Sequence, residues 1–141
     1  MVVMLNREEH LDIGHSSWGD DPGGPEDNIT ISIDPILYEG DTPFRQVQAT
    51  AEDIPFPSNY FASVRAGNVL SEGDEMYADM HKSLPEISRV LKPGGTLIIE
   101  SLNIDSGETI LKILKDLNFT IMPKSYRDDE SWYIWATKRR Y

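Results

Sequence analysis

With three histidines, twenty-four carboxylates and no cysteine, the chain has no thiolate nucleophile, no thiolate zinc ligand and no disulfide. No spacing of His, Asp and Glu reads as a metal site, and Asp20-Asp21, Asp27 and Asp128-Asp129-Glu130 read as solvated acidic loops. The groups left for chemistry stand where strand-like runs stop. Gly14 follows His10-Leu11-Asp12-Ile13 and is itself followed by His15, while Asp34-Pro35 follows Asn28-Ile29-Thr30-Ile31-Ser32-Ile33. Asp34 has two readings, a turn residue before Pro35 or a carboxylate that accepts hydrogen bonds from a ligand. His15 is likewise either a polar loop residue or a ligand contact, and His10 and His81 read as solvent-facing. Trp132 and Trp135 lie in a strand-like run and read as core or interface.

The elements that must position these groups alternate between strand and helix patterns. His10–Ile13 is a short strand and Asn28–Ile33 a second, strongly β-branched one. Arg45–Ala49 alternates as a third, and Tyr60–Ala66 is a fourth after the turn-rich Pro55–Asn59. A helical pattern runs from about Asp74 to Leu91, with a kink or a restart expected at Pro85. Lys92-Pro93-Gly94-Gly95 is a stop and turn, and the apolar Thr96–Glu100 has the character of a central strand buried on both faces. Asp105 or Ser106 can cap the next helix, which Asn118 ends in a left-handed conformation. Phe119–Met122 and Trp132–Thr137 then close the chain as an antiparallel pair.

This alternation predicts an α/β fold with a mainly parallel sheet. The connection between the first two strands breaks the pattern, because Gly19-Asp20-Asp21-Pro22-Gly23-Gly24-Pro25 cannot propagate helical hydrogen bonds. The first crossover helix is therefore expected to be missing or much reduced. The sheet face beneath it then needs a ligand, a protein partner or a second copy of the chain to cover it.

The length of 141 residues fits a single domain, 1–141, and a domain of that size buries roughly 68–70% of the surface of its unfolded chain. A net charge of −11 disfavours nucleic acid as a partner, the one basic cluster being Lys138-Arg139-Arg140. Met1–Leu5 is too short an apolar run for a signal peptide, and no stretch approaches the roughly 20 apolar residues of a membrane span. The expected location is the cytoplasm.

Three segments in order resemble class I S-adenosylmethionine-dependent methyltransferases, in particular the small type 11-like members. They are Leu11-Asp12-Ile13-Gly14, Ala49-Thr50-Ala51-Glu52-Asp53-Ile54-Pro55-Phe56-Pro57, and Glu86-Ile87-Ser88-Arg89-Val90-Leu91-Lys92-Pro93-Gly94-Gly95. The resemblance extends from about Glu9 to the end of the chain. It implies a Rossmann-like sheet of strand order 3-2-1-4-5-7-6 with strand 7 antiparallel. Many members carry an N-terminal helical cap over the substrate, whereas this chain begins almost directly at strand one, so a domain without that cap is expected.

The resemblance also implies a cofactor, S-adenosylmethionine, and residues to hold it. The glycine turn would be Asp12, Gly14 and His15, with Ser16 and Trp18 where two further glycines are expected. Asp34 and Pro35 would meet the ribose, Thr50, Ala51 and Glu52 the adenine, and Asn68 the exit of strand four. Thr50 stands where the family carries an acid, and Ile54 and Phe56 either pack on the base or belong to ordinary core. No catalytic residue is identifiable, but methyl transfer needs a base only when the acceptor must lose a proton. The activity implied is methyl transfer to a small molecule or peptide. The alternative is a non-catalytic relative that has lost the cofactor cleft and works as a scaffold, through a partner or as a homo-oligomer.

Overall fold

A computed structural model describes residues 9–14, 30–34, 45–67, 70–71, 78–101, 104–127 and 132–140. The first four strands are His10–Ile13 (β1), Thr30–Asp34 (β2), Arg45–Gln48 (β3) and Phe61–Gly67 (β4). Two short strands follow, Leu70–Ser71 (β5) and Ala78–Asp79 (β6), then helix Met80–Val90 (α1), strand Leu91–Ser101 (β7) and helix Ile104–Asp116 (α2). Phe119–Ile121 (β8), Tyr126–Arg127 (β9) and Trp132–Lys138 (β10) complete the chain.

The main sheet has the order β3-β2-β1-β4-β7-β10-β8, with β9 paired to β10. β1 pairs parallel with both β2 and β4, β2 with β3, and β4 with β7, whereas β10 runs antiparallel to β7 and β8. This is the expected order, with β7, β10 and β8 in the places of strands 5, 7 and 6. The steps from β4 to β7 and from β7 to β8 move the same way across the sheet. Right-handed crossovers therefore put α1 and α2 on one face, where they touch each other. Phe61, Leu97, Ile99, Ile110, Phe119 and Ile134 are among the fully buried side chains that this arrangement brings together.

Three boundaries differ from expectation. Helix α1 begins at Met80 rather than near Asp74, because Ala78–Asp79 is extended and pairs with Leu70–Ser71, a small sheet that no sequence pattern announced. Asp79 caps the helix, its Oδ1 accepting from the His81 N–H at 3.0 Å. Of the kink or restart expected at Pro85, the restart is not found: one helix runs through it, held by a buried face of Met80, Ser83, Leu84, Ile87 and Val90. Lys92–Gly95 does form a turn, but inside β7 rather than before it. Phe61 pairs with Leu91 and Ser63 with Thr96, so four residues bulge opposite Ala62. Gly94 at φ 83° gives the Pro-Gly turn its left-handed corner.

Asn118, at φ 71°, ends α2 as expected. The reduced first crossover is expected within residues 15–29, which lie outside the described residues, and so does Trp18. Lys138, projecting from β10, reaches the other end of α1, where its Nζ donates to the carbonyls of Ser88 and, at 2.8 Å, Leu91. A cation there complements the helix dipole.

Gly107 in α2 is packed directly under Trp132 of β10, and a Cβ at this glycine would lie 2.1 Å from the indole ring. In an open helix Gly→Ala gains about 1 kcal/mol, but here the overlap with a half-buried ring outweighs that gain. Gly107→Ala is expected to destabilise the domain by about 1–3 kcal/mol, the usual cost of overpacking. The midpoint of urea denaturation checks this, and an unchanged or raised midpoint contradicts it.

Candidate functional site

In an open parallel sheet the strand order reverses at one point, and the carboxyl ends of the strands beside it form a crevice. Here the reversal falls between β1 and β4. The tips that flank it are Gly14 after β1, Asp34 at the end of β2, Thr50 after β3 and Gly67 at the end of β4.

Backbone bonds lace these tips together. The Gly14 N–H donates to the Ile33 carbonyl at 2.9 Å, and the Ala49 N–H to the Asp34 carbonyl at 3.2 Å. Gly14 holds φ 79°, a conformation in which a side chain would be strained. Asp34 is buried, only 6% exposed, so its carboxylate is held at the tip rather than spread into solvent. Asp12 lies deeper in β1, 3% exposed, in register with Ser32 and Arg65. His15, Pro35 and Asn68 lie outside the described residues.

The segment after β3 makes a tight turn in which the Asp53 N–H donates to the Thr50 carbonyl at 3.2 Å. Thr50 and Glu52 are exposed while Ala51 is buried. Glu52 reaches back to α1, where its Oε2 accepts from the Asp79 N–H at 3.3 Å. Ile54 is buried in the core, and Phe56 packs against Tyr60 and Phe61 with ring centroids 5.4 and 5.1 Å away. Ile54 thus belongs to the core, and Phe56 is partly buried against it.

Two further residues shape this loop, and sequence patterns did not single them out for it. Glu86 and Arg89, one turn apart on α1, form an ion pair with Arg89 Nε 2.6 Å from Glu86 Oε1 and Arg89 Nη2 3.0 Å from Glu86 Oε2. The same pair grips the backbone of Ile54: Glu86 Oε2 accepts from its N–H at 2.7 Å, and Arg89 Nη2 donates to its carbonyl at 2.9 Å. The i, i+3 spacing makes the ion pair foreseeable. Its target, more than thirty residues upstream, carries no local signal.

His10 also departs from its sequence reading. It is half-buried, its Nδ1 hydrogen-bonded to the Ser63 hydroxyl across β1 and β4, while His81 is exposed as expected.

The Arg89 hydrogen bond, and then the Ile54 N–H, hold the Glu86 carboxyl below the usual carboxylate range, against the opposing effect of burial. A carboxylate with a depressed folded pKa contributes stability that is complete above its unfolded pKa and lost as pH falls through the folded value. Acidification through and below the ordinary glutamate range is therefore expected to release Ile54. Faster exchange of the Ile54 amide relative to core amides, after correction for intrinsic rates, is the readout. Constant relative protection down to acid unfolding contradicts it.

Comparison with known proteins fits this geometry. A model of the methyltransferase domain family matches residues 32–99. The ubiquinone/menaquinone biosynthesis C-methyltransferase UbiE of Vibrio cholerae is 37% identical over 78 residues, 55% of this chain and 28% of that protein. The match thus spans between a quarter and a third of the length of that relative. Among solved structures, the N-methyltransferase NodS of Bradyrhizobium japonicum in complex with S-adenosyl-L-homocysteine superposes with a TM-score of 0.69 at 13% identity, covering 93% of this chain and 78% of that one. A chain from a complex between the Haloferax volcanii Trm112 methyltransferase activator and a methyltransferase gives 0.65 at 15% identity, over 99% and 86%. At these identities the superpositions establish the fold alone.

Proposed function

We propose that this chain is a class I S-adenosylmethionine-dependent methyltransferase that binds S-adenosylmethionine at the carboxyl edge of β1–β4 and transfers its methyl group to a small molecule or peptide. The observation that carries this reading is the pairing of a buried carboxylate, Asp34, with the left-handed Gly14 on adjacent strand tips, joined through the Gly14 N–H to the Ile33 carbonyl. Such a carboxylate suits a ribose, whose neighbouring hydroxyls are both donors. A glycine without a Cβ lets the backbone come close to the methionine portion.

In this reading Asp34, with Pro35 shaping the turn after it, orients the ribose. The turn Thr50–Glu52 meets the adenine. Asp12, Gly14 and His15 line the methionine side, and Asn68 faces the acceptor. The bound cofactor supplies an electrophilic methyl group on a sulfonium. What the chain contributes is alignment of that carbon with an acceptor atom, which can account for most of the barrier reduction without a base. In this reading a second subunit or a partner protein completes the substrate side.

Calorimetric titration with S-adenosylmethionine and S-adenosylhomocysteine tests the reading. Micromolar affinity is expected. Asp34→Ala should weaken it by about 100-fold, the equivalent of roughly 3 kcal/mol from two charge-assisted hydrogen bonds. Absence of binding at millimolar ligand, or an Asp34→Ala variant that binds as the parent does, removes its basis.

A further inference from the structure

The loop Thr50–Phe56 has little regular backbone pairing of its own as it runs from β3 toward the core. Buried backbone groups must find partners, and at Ile54 they find them largely in side chains. Its N–H is taken by Glu86 and its carbonyl by Arg89, with the Phe56 N–H sharing that carbonyl at 2.7 Å. Pro55 follows and has no N–H, so it offers no bond that could propagate pairing from this point. The two grips act on the peptide units before and after Ile54, and the pair that makes them is locked by its own two-pronged contact. Both charges are engaged twice, once with each other and once with the loop. Arg89 also reaches Ser58 at 3.4 Å, just beyond the loop.

Upstream, the loop is tied at two more points. The Ala49 N–H bonds to the Asp34 carbonyl on β2, and the Glu52 carboxylate accepts from the Asp79 N–H at the start of α1. Helix α1 therefore holds the loop at both its ends, through Asp79 near its start and through Glu86 and Arg89 near its finish. Between these ties lie Thr50, Ala51 and Glu52 at the carboxyl end of β3, with Thr50 and Glu52 exposed and Ala51 buried. A rigid backbone edge discriminates among planar ligands by the positions of its donors and acceptors, whereas a loose one adapts to several.

We infer that Glu86 and Arg89 are positioning residues that, without touching ligand, hold the Thr50–Glu52 backbone in the one geometry that selects adenine over other purines; this inference rests on the cofactor reading above. The ion pair acts through Ile54. Loss of the grip leaves the site present but less selective, and the shift in base preference separates this role from plain support of the fold. Global destabilisation lowers the folded fraction equally for every ligand and leaves a ratio of affinities unchanged.

The test measures affinities of S-adenosylhomocysteine and its hypoxanthine counterpart, S-inosylhomocysteine, for the full chain and for Glu86→Ala and Glu86→Gln. The parent is expected to prefer the adenine compound, and Glu86→Ala to narrow that preference by about tenfold, the equivalent of roughly 1.4 kcal/mol. Glu86→Gln keeps an oxygen that can accept from the Ile54 N–H and should restore most of the preference. A folded Glu86→Ala protein with the parent's preference overturns the inference while leaving the cofactor reading intact, and so does a parent that binds both compounds equally. Failure of the parent to bind either compound sinks the cofactor reading itself. Should Glu86→Ala not fold, Arg89→Lys replaces it: the lysine keeps the charge but not the fork that spans Glu86 and the Ile54 carbonyl. Narrowed preference with faster Ile54 amide exchange supports the inference, and parental values of both overturn it.

Discussion

Parallel pairing on both sides of β1 is the constraint from which the site follows. Because β2 and β4 flank β1 in the same direction, the chain leaves the centre of the sheet toward opposite edges and opens a crevice at the carboxyl ends. The tips Gly14, Asp34, Thr50 and Gly67 all stand on that rim. The exchange of backbone bonds between Gly14 and Ile33, and between Ala49 and Asp34, converts three separate strand ends into one continuous edge. A buried carboxylate at such an edge is held by the sheet beneath it, so little entropy remains to be lost when a ligand arrives.

Helix α1 is the second organiser. Its buried face anchors it to the sheet, and its polar groups at either end govern loops outside the helix. Asp79 caps its start, and the Asp79 N–H donates to Glu52 in the loop after β3. Glu86 and Arg89 govern the backbone at Ile54, and Lys138 of β10 satisfies carbonyls at its end. One helix thereby couples the rim of the crevice to the antiparallel half of the sheet. This explains how a segment with so little secondary structure holds a defined shape.

Much of the architecture is legible because it is encoded locally. β-Branched alternation marks β2, the apolar run marks the buried part of β7, and Asn118 marks the end of α2, since each depends on sterics within a few residues. The strand order is legible through the resemblance of ordered motifs, and the sheet has that order. The start of α1 differs from expectation because Ala78–Asp79 pairs with residues eight positions back, a preference that helical periodicity cannot register. His10 was assigned to solvent because its partner Ser63 lies on another strand.

The site divides along the same line. The sequence alone determined which residue types stand at the strand ends, a glycine after β1 and an aspartate after β2, because turn chemistry is a property of adjacent residues. Only the tertiary structure decided that these two tips are neighbours, tied by the Gly14 N–H to the Ile33 carbonyl next to Asp34, and that Glu86 and Arg89 hold the backbone at Ile54. It also decided that Gly107 exists to admit Trp132. Those contacts join residues 19 to 35 positions apart, and their partners become determinate only when the parallel sheet and its right-handed crossovers bring distant segments to one edge and one face.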